Sequence, residues 1–192
     1  MTEPITLLLG GADPSPAAQV AEQGFRHFLS QYSGQAMLDY PGPTWDGYGI
    51  HRWLWGQGIP VSTPLSLISF SAGVAGAALL ATLRPDSITS IIAVDGWCVP
   101  LKVSNCKVSN CTVYRLSHDW LTHANGLLFG GDYFFYADPH VSHLDLWRDP
   151  AGVEGWEVGQ LGSDQEPVRT HAATFLLAAG FPDHKTSPSP LD

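Results

Sequence analysis

The sequence predicts an α/β domain: a three-layer sandwich in which helices cover both faces of an open, mainly parallel sheet. Three observations carry this. Short, continuous apolar runs such as Ile5–Leu9, Leu65–Phe70 and Ile88–Val94 have the pattern of strands covered on both faces. Helical patterns stand between them, and that alternation requires crossover connections and hence parallel strands. At 192 residues the chain is long enough to bury one substantial core without disulfides or metals to staple it. One domain is expected over residues 1–181, with the polar, proline-bearing residues 182–192 as a flexible tail.

Ile5–Leu9 runs into Gly10-Gly11, where the first strand gives way to a loop. Pro14 and Pro16 then precede a helix whose apolar residues Ala17, Val20, Ala21, Gly24, Phe25, Phe28, Leu29 and Tyr32 keep a three-four spacing, and Gly34 stops it. Ala36–Tyr40 reads as a second strand, closed by Pro41-Gly42-Pro43, and Tyr48–Trp55 as a short aromatic helix. Leu65–Phe70 is the central strand, and the Ala/Leu-rich run from Ala72 to Leu83 is a helix buried all round. Ile88–Val94 is β-branched and apolar, a strand that ends at Asp95-Gly96-Trp97. Lys102-Val103-Ser104-Asn105-Cys106 is then repeated at once as Lys107-Val108-Ser109-Asn110-Cys111. So short a period suits neither helix nor solenoid, and it reads as a duplication in a surface loop leading into a strand from Cys111 to Leu116. Leu121–Gly131 reads as a glycine-containing connection and Tyr133–Tyr136 as an aromatic strand. Pro139 opens a helix with Val141, Leu144 and Trp147 on one face. Ala151–Gln165 is loop-like, and Pro167–Phe181 closes the domain with a helix burying Val168, Ala172, Phe175, Leu176 and Ala179.

Nine basic residues stand against eighteen acidic ones, with no basic cluster. Nucleic acid and anionic membrane surfaces are poor partners for such a chain, because phosphate binding relies on Lys and Arg. Three cysteines, Cys98, Cys106 and Cys111, and the lack of a charged-then-apolar leader predict a reduced, cytoplasmic protein. Asn110-Cys111-Thr112 has the form of a glycosylation sequon, without meaning where there is no secretory route. No apolar run reaches membrane-spanning length. A small-molecule substrate is the expected partner, with oligomeric state left open.

Chemistry concentrates where the central strand meets its helix. A strand that becomes a helix within one or two residues needs a strained corner with small flanking residues, here Ser69 and Gly73 around Ser71. A hydroxyl at such a corner is pushed out of the sheet, and the free N–H groups of the new helix point at whatever it attacks. In an open parallel sheet the loops at the carboxyl ends of the strands converge on one edge, where ligands bind. Gly10-Gly11, Ser71, Asp95, His118-Asp119, His140 and His143 all fall there.

The pattern Ser69-Phe70-Ser71-Ala72-Gly73 resembles the nucleophile elbow of the α/β-hydrolase fold, usually Gly-x-Ser-x-Gly, with a serine in place of the first glycine. From Ile5 to Trp147 the chain is similar to a small bacterial α/β hydrolase that begins at the family's third strand. The resemblance implies a six-stranded sheet of minimal α/β-hydrolase architecture, with Ser71 as nucleophile. It implies Asp119 as the acid, Asp95 remaining the alternative one strand earlier, and His143 as the base, with His140 the alternative. The N–H of Ala72 and the loop at Gly11 and Ala12 would form the oxyanion hole. Trp45, Trp53, Trp97 and Trp120 would form the substrate rim, with His118 and His123 as rim or supporting groups. The implied activity is cleavage of a carboxylic ester or thioester through an acyl-enzyme, without a cofactor.

Two other readings stand beside it. A metal-dependent hydrolase could draw on His118, Asp119, His123, His140 and His143, but no His-Glu-x-x-His or comparable ligand spacing occurs, so no metal site is assigned. A catalytically inactive binding or scaffold protein on the same fold is the second, motivated by Ser69 and the reduced architecture.

Overall fold

A computed structural model describes residues 5–32, 37–103, 106–107, 111–160 and 162–180. In chain order come β1 (Ile5–Leu9), α1 (Pro16–Tyr32), β2 (Met37–Asp39), α2 (Gly47–Gly56), β3 (Leu65–Phe70), α3 (Gly73–Leu83) and β4 (Ile88–Val94). A separate antiparallel pair, β5 (Lys102–Val103) and β6 (Cys106–Lys107), follows. Then come β7 (Thr112–Ser117), α4 (Trp120–Leu128), β8 (Tyr133–Ala137), α5 (His143–Arg148), β9 (Glu154–Val158), β10 (Val168–His171) and α6 (Ala172–Gly180).

The main sheet has the order β10-β9-β8-β7-β4-β3-β1-β2. From β2 to β8 every pairing is parallel, while β8 with β9 and β9 with β10 are antiparallel. The fold is therefore α/β with one eight-stranded mixed sheet, and the expected count of six strands is corrected by two. The missing pair lay in segments assigned otherwise. Residues 151–165 looked like loop because Glu154, Gly155 and Glu157 interrupt any apolar run, yet Gly155 is where β9 passes so close to the Tyr136 carbonyl of β8 that a side chain would collide. Val168 was placed inside a buried helix; it lies exposed on the edge strand β10, and the helix begins only at Ala172. The segment 121–131, expected to be a connection, contains α4, started by the Asp119 side chain accepting the Thr122 N–H.

Alternate residues of the central strands feed two separate cores, as the pleat requires. Leu7, Leu9, Leu65, Leu67, Ile91 and Ala93 pack beneath α2 and α3 on one face. Leu8, Ile68, Phe70, Ile92 and Val94 pack beneath α1, α5 and α6 on the other. All six residues of β3 are buried, its apolar residues filling both faces and the hydroxyls of Ser66 and Ser69 bonded to Ser90 and the Ile92 carbonyl on β4. No helix among the described residues is long and apolar enough to cross a membrane. Gly34, half of the duplicated Lys-Val-Ser-Asn-Cys segment (104, 105 and 108–110, with the sequon's Asn110), and the tail 182–192 lie outside the described residues.

Candidate active site

β3 ends at Phe70 and α3 starts at Gly73, so the chain must reverse its backbone geometry across Ser71 and Ala72. It does so with Ser71 at φ +52°, a left-handed conformation that costs a non-glycine residue roughly 1 kcal/mol or more. The corner is held by the Ser71 N–H donating to the Val94 carbonyl at 2.9 Å and by the Val74 N–H returning to the Ser71 carbonyl at 3.1 Å. Gly73 is required: a Cβ there would stand 2.5 Å from the Leu9 carbonyl oxygen and 2.7 Å from that of Gly10. Ser69, the departure from the usual elbow pattern, is fully buried, and its hydroxyl donates to the Ile92 carbonyl at 3.1 Å. The extra polar group is thus satisfied on the neighbouring strand.

Asp95 follows β4 in the same way, at φ +52°, its N–H donating to the Leu116 carbonyl at 2.8 Å. The side chain is wholly buried, and three groups converge on its carboxylate. Oδ1 accepts the backbone N–H of His118 at 2.9 Å. Oδ2 lies 2.8 Å from His143 Nδ1 and 3.1 Å from His118 Nδ1. A carboxylate facing Nδ1 favours the His143 tautomer with its proton on Nδ1, the form in which Nε2 keeps its lone pair. His118 is differently placed: its Nδ1 is within ion-pair distance of Oδ2 but is off the line of a good hydrogen bond, and this buried nitrogen has no hydrogen-bond partner. The Asp95 carboxylate raises the His118 pKa above its ordinary value, against the opposing pull of burial. The rings of His118 and His143 stand nearly perpendicular, 5.8 Å apart.

His143 is the first residue of α5, which Ser142 caps by accepting the Asp145 N–H at 3.1 Å. Its ring lies 4.4 Å from that of Phe70, the residue before Ser71. Ser71 and His143 line a common cleft of about 540 Å³ together with Ala72, Asp95, Trp97, Val99 and His118. The same two residues also border a narrow recess of about 40 Å³ with Gly11, Ala12 and Trp147.

The sequence-level residues therefore separate into two groups. Ser71, His143, Ala72, Gly11, Ala12 and Trp97 are brought to these two adjoining spaces, and Asp95 joins them. Asp119, expected as the acid, faces elsewhere: its Oδ1 caps α4 through the Thr122 N–H at 2.7 Å, and the histidine it approaches is His118, with Oδ2 3.5 Å from Nε2. Partial burial disfavours its charge, but the Thr122 hydrogen bonds and the nearby His118 and His140 rings outweigh this and lower its pKa. His140 is exposed, outside the group around Asp95. His123 is buried against Phe134 and Tyr136, and burial depresses its pKa to about 4. Trp53, on α2, packs edge-on to Tyr40 rather than at the cleft, and Trp45 and Trp120 are exposed without lining it.

Arg115 escaped sequence reading altogether. Its buried guanidinium donates to the carbonyls of Gly96, Val99, Phe129 and Gly130, tying the loop that carries Asp95 and Trp97 to the turn after α4. Burial lowers its pKa to about 10. The signal was present: one cation inside the otherwise apolar Cys111–Leu116 run is tolerated only if every donor finds an acceptor.

No protein-family model matches the chain, and no curated protein sequence does either.

Proposed function

We propose that the chain is a serine hydrolase of the α/β-hydrolase kind, cleaving a carboxylic ester or thioester of a small or acyl-type substrate in a reducing, cytoplasmic setting. The observation that supports this most is the strained Ser71 corner opening into a cleft shared with a histidine whose far nitrogen is held by a buried carboxylate. In this reading Ser71 attacks the acyl carbon and His143 Nε2 takes its proton, since a serine hydroxyl is a weak nucleophile without a base. Asp95, not Asp119, fixes the tautomer of His143 and stabilises the imidazolium that forms. His143 then protonates the leaving group, and a water repeats the sequence to release the acid. The N–H groups of Ala72 and of the Gly11-Ala12 loop would hold the oxyanion, each contributing roughly 3 kcal/mol in known cases. Trp97 and Val99 give the cleft an apolar wall suited to an acyl chain.

The test is covalent labelling by a fluorophosphonate probe. Folded protein should be labelled on Ser71, and both Ser71→Ala and His143→Ala should abolish labelling and ester turnover with the fold intact. Folded protein that takes no label would instead favour the inactive binding protein.

A further inference from the structure

Three donor side chains from separate parts of the fold meet beside Ser71, Asp95 at the end of β4, His118 after β7 and His143 at the start of α5, each with one ligand atom within 4.8 Å of the others; Oδ2 of Asp95 faces Nδ1 of both histidines. We propose that these three groups form a binding site for a divalent transition metal, zinc above all, and that the metal and the Asp95–His143 hydrogen bond exclude one another. The inference does not depend on Ser71 being a nucleophile.

Chemistry and geometry both point this way. Two imidazoles and one carboxylate with an open fourth position are the donor set of many zinc sites. Ligands at zinc bond lengths in a tetrahedron stand about 3.3 Å apart. Oδ2 is 2.8 Å from one nitrogen and 3.1 Å from the other, so these two edges fall short of zinc spacing by only a few tenths of an ångström. The cleft beside them has room for the remaining ligand. The surroundings are those of a held site as well. Oδ1 of Asp95 is tethered by the His118 N–H, which leaves Oδ2 to face the imidazoles. His118 Nε2 is turned toward Asp119 Oδ2 at 3.5 Å, the carboxylate behind an imidazole that commonly orients a metal-bound histidine. Its Nδ1 is buried and lacks a hydrogen-bond partner, the condition a metal would relieve. Binding releases the Nδ1 proton of His143 and takes both the nitrogen and the oxygen that hold this ring in place. Zinc would therefore silence a hydrolase that relies on them.

Protein freed of metal by chelation is titrated with zinc chloride against a chromogenic chelator. One equivalent should bind. His118→Gln should abolish that equivalent, and Asp119→Asn, which leaves all three donors in place, should weaken it about 10- to 100-fold. Circular dichroism of each variant establishes that it is folded, and His140→Gln should bind as the parent does. Absence of a saturable equivalent in the parent overturns the proposal, as does undiminished binding by folded His118→Gln. The two readings fail separately: label on Ser71 with no zinc uptake removes the metal site alone, whereas His118-dependent zinc uptake by a protein that takes no label even when metal-free removes the serine hydrolase alone.

Discussion

Ser71 and Asp95 share an unusual property: each closes a central strand, and each sits at a positive φ that only glycine adopts freely. Strain of this kind persists where the surrounding structure over-determines it, and here the surroundings are the carbonyls of Val94 and Leu116 receiving the two backbone N–H groups. For Ser71 the strain was legible, because a strand that becomes a helix within one or two residues needs a tight corner and the small residues Ser69 and Gly73 flank it. For the carboxylate that meets His143 it was not. Asp95-Gly96 has the look of an ordinary turn, and Asp119 stands at the place the family resemblance favours. What decides is direction, which sequence does not carry: the Asp119 carboxylate is turned along its own helix to cap Thr122, while that of Asp95 is turned inward to His143. The consequence is a pair of contrasting variants. Asp95→Asn should lower ester turnover by about 10³- to 10⁴-fold, because the wrong tautomer of His143 becomes favoured. Asp119→Asn should change it by less than about tenfold, because the asparagine oxygen can still cap α4 and the side chain is turned away from His143. Steady-state turnover of the two proteins side by side checks this, and the reverse ranking would return the role to Asp119.

At the scale of elements, the position of α3 over the sheet sets where the corner points. The helix comes so close to β1 that Gly73 faces two carbonyl oxygens, those of Leu9 and Gly10, with no room for a methyl group. Backbone cannot give way as a flexible side chain can. Gly73→Ala should therefore cost about 3 kcal/mol, read as a lower denaturant midpoint at unchanged slope. A loss under about 0.5 kcal/mol would mean that α3 can slide without penalty. Elements with both faces covered, β1, β3 and β4, were readable because full burial leaves a continuous apolar run. β9 and β10 were not, since at the edge of a sheet burial is partial and their Glu154 and Arg169 pair across the surface at 2.9 Å instead of entering a core. α4 was hidden for a different reason. Its sequence carries Asn125 and Gly126, poor helix formers, and it is held by its packing on β7 and β8 and by the Asp119 cap rather than by propensity.

Across the whole molecule, response to acid depends on groups whose environments pull in opposite directions. His118 has a raised pKa, so the stability it contributes is complete below its unfolded value near 6.5 and is lost as pH rises through the raised one. His123 behaves inversely. It lies 5% exposed, its ring stacked 4.9 Å from Tyr136 and edge-on to Phe134, with Nδ1 lacking a partner, and burial holds its pKa at about 4. Between about pH 6.5 and 4 the unfolded chain binds a proton at this residue that the folded chain refuses. Stability must therefore fall with falling pH across that window, by a ceiling of about 3 kcal/mol, and this residue adds no further loss once both states are protonated. The carboxylates contribute their own acid dependence, Asp119 among them with its lowered pKa, so the parent curve alone does not isolate the histidine. His123→Phe does, because the ring fits an aromatic pocket and has nothing to titrate. Unfolding free energies of the two proteins at intervals from pH 7 to 4 should diverge, the phenylalanine protein gaining on its parent by up to about 3 kcal/mol at the acid end. Curves that run parallel across the window would mean that His123 accepts its proton inside the fold, by opening α4 to water.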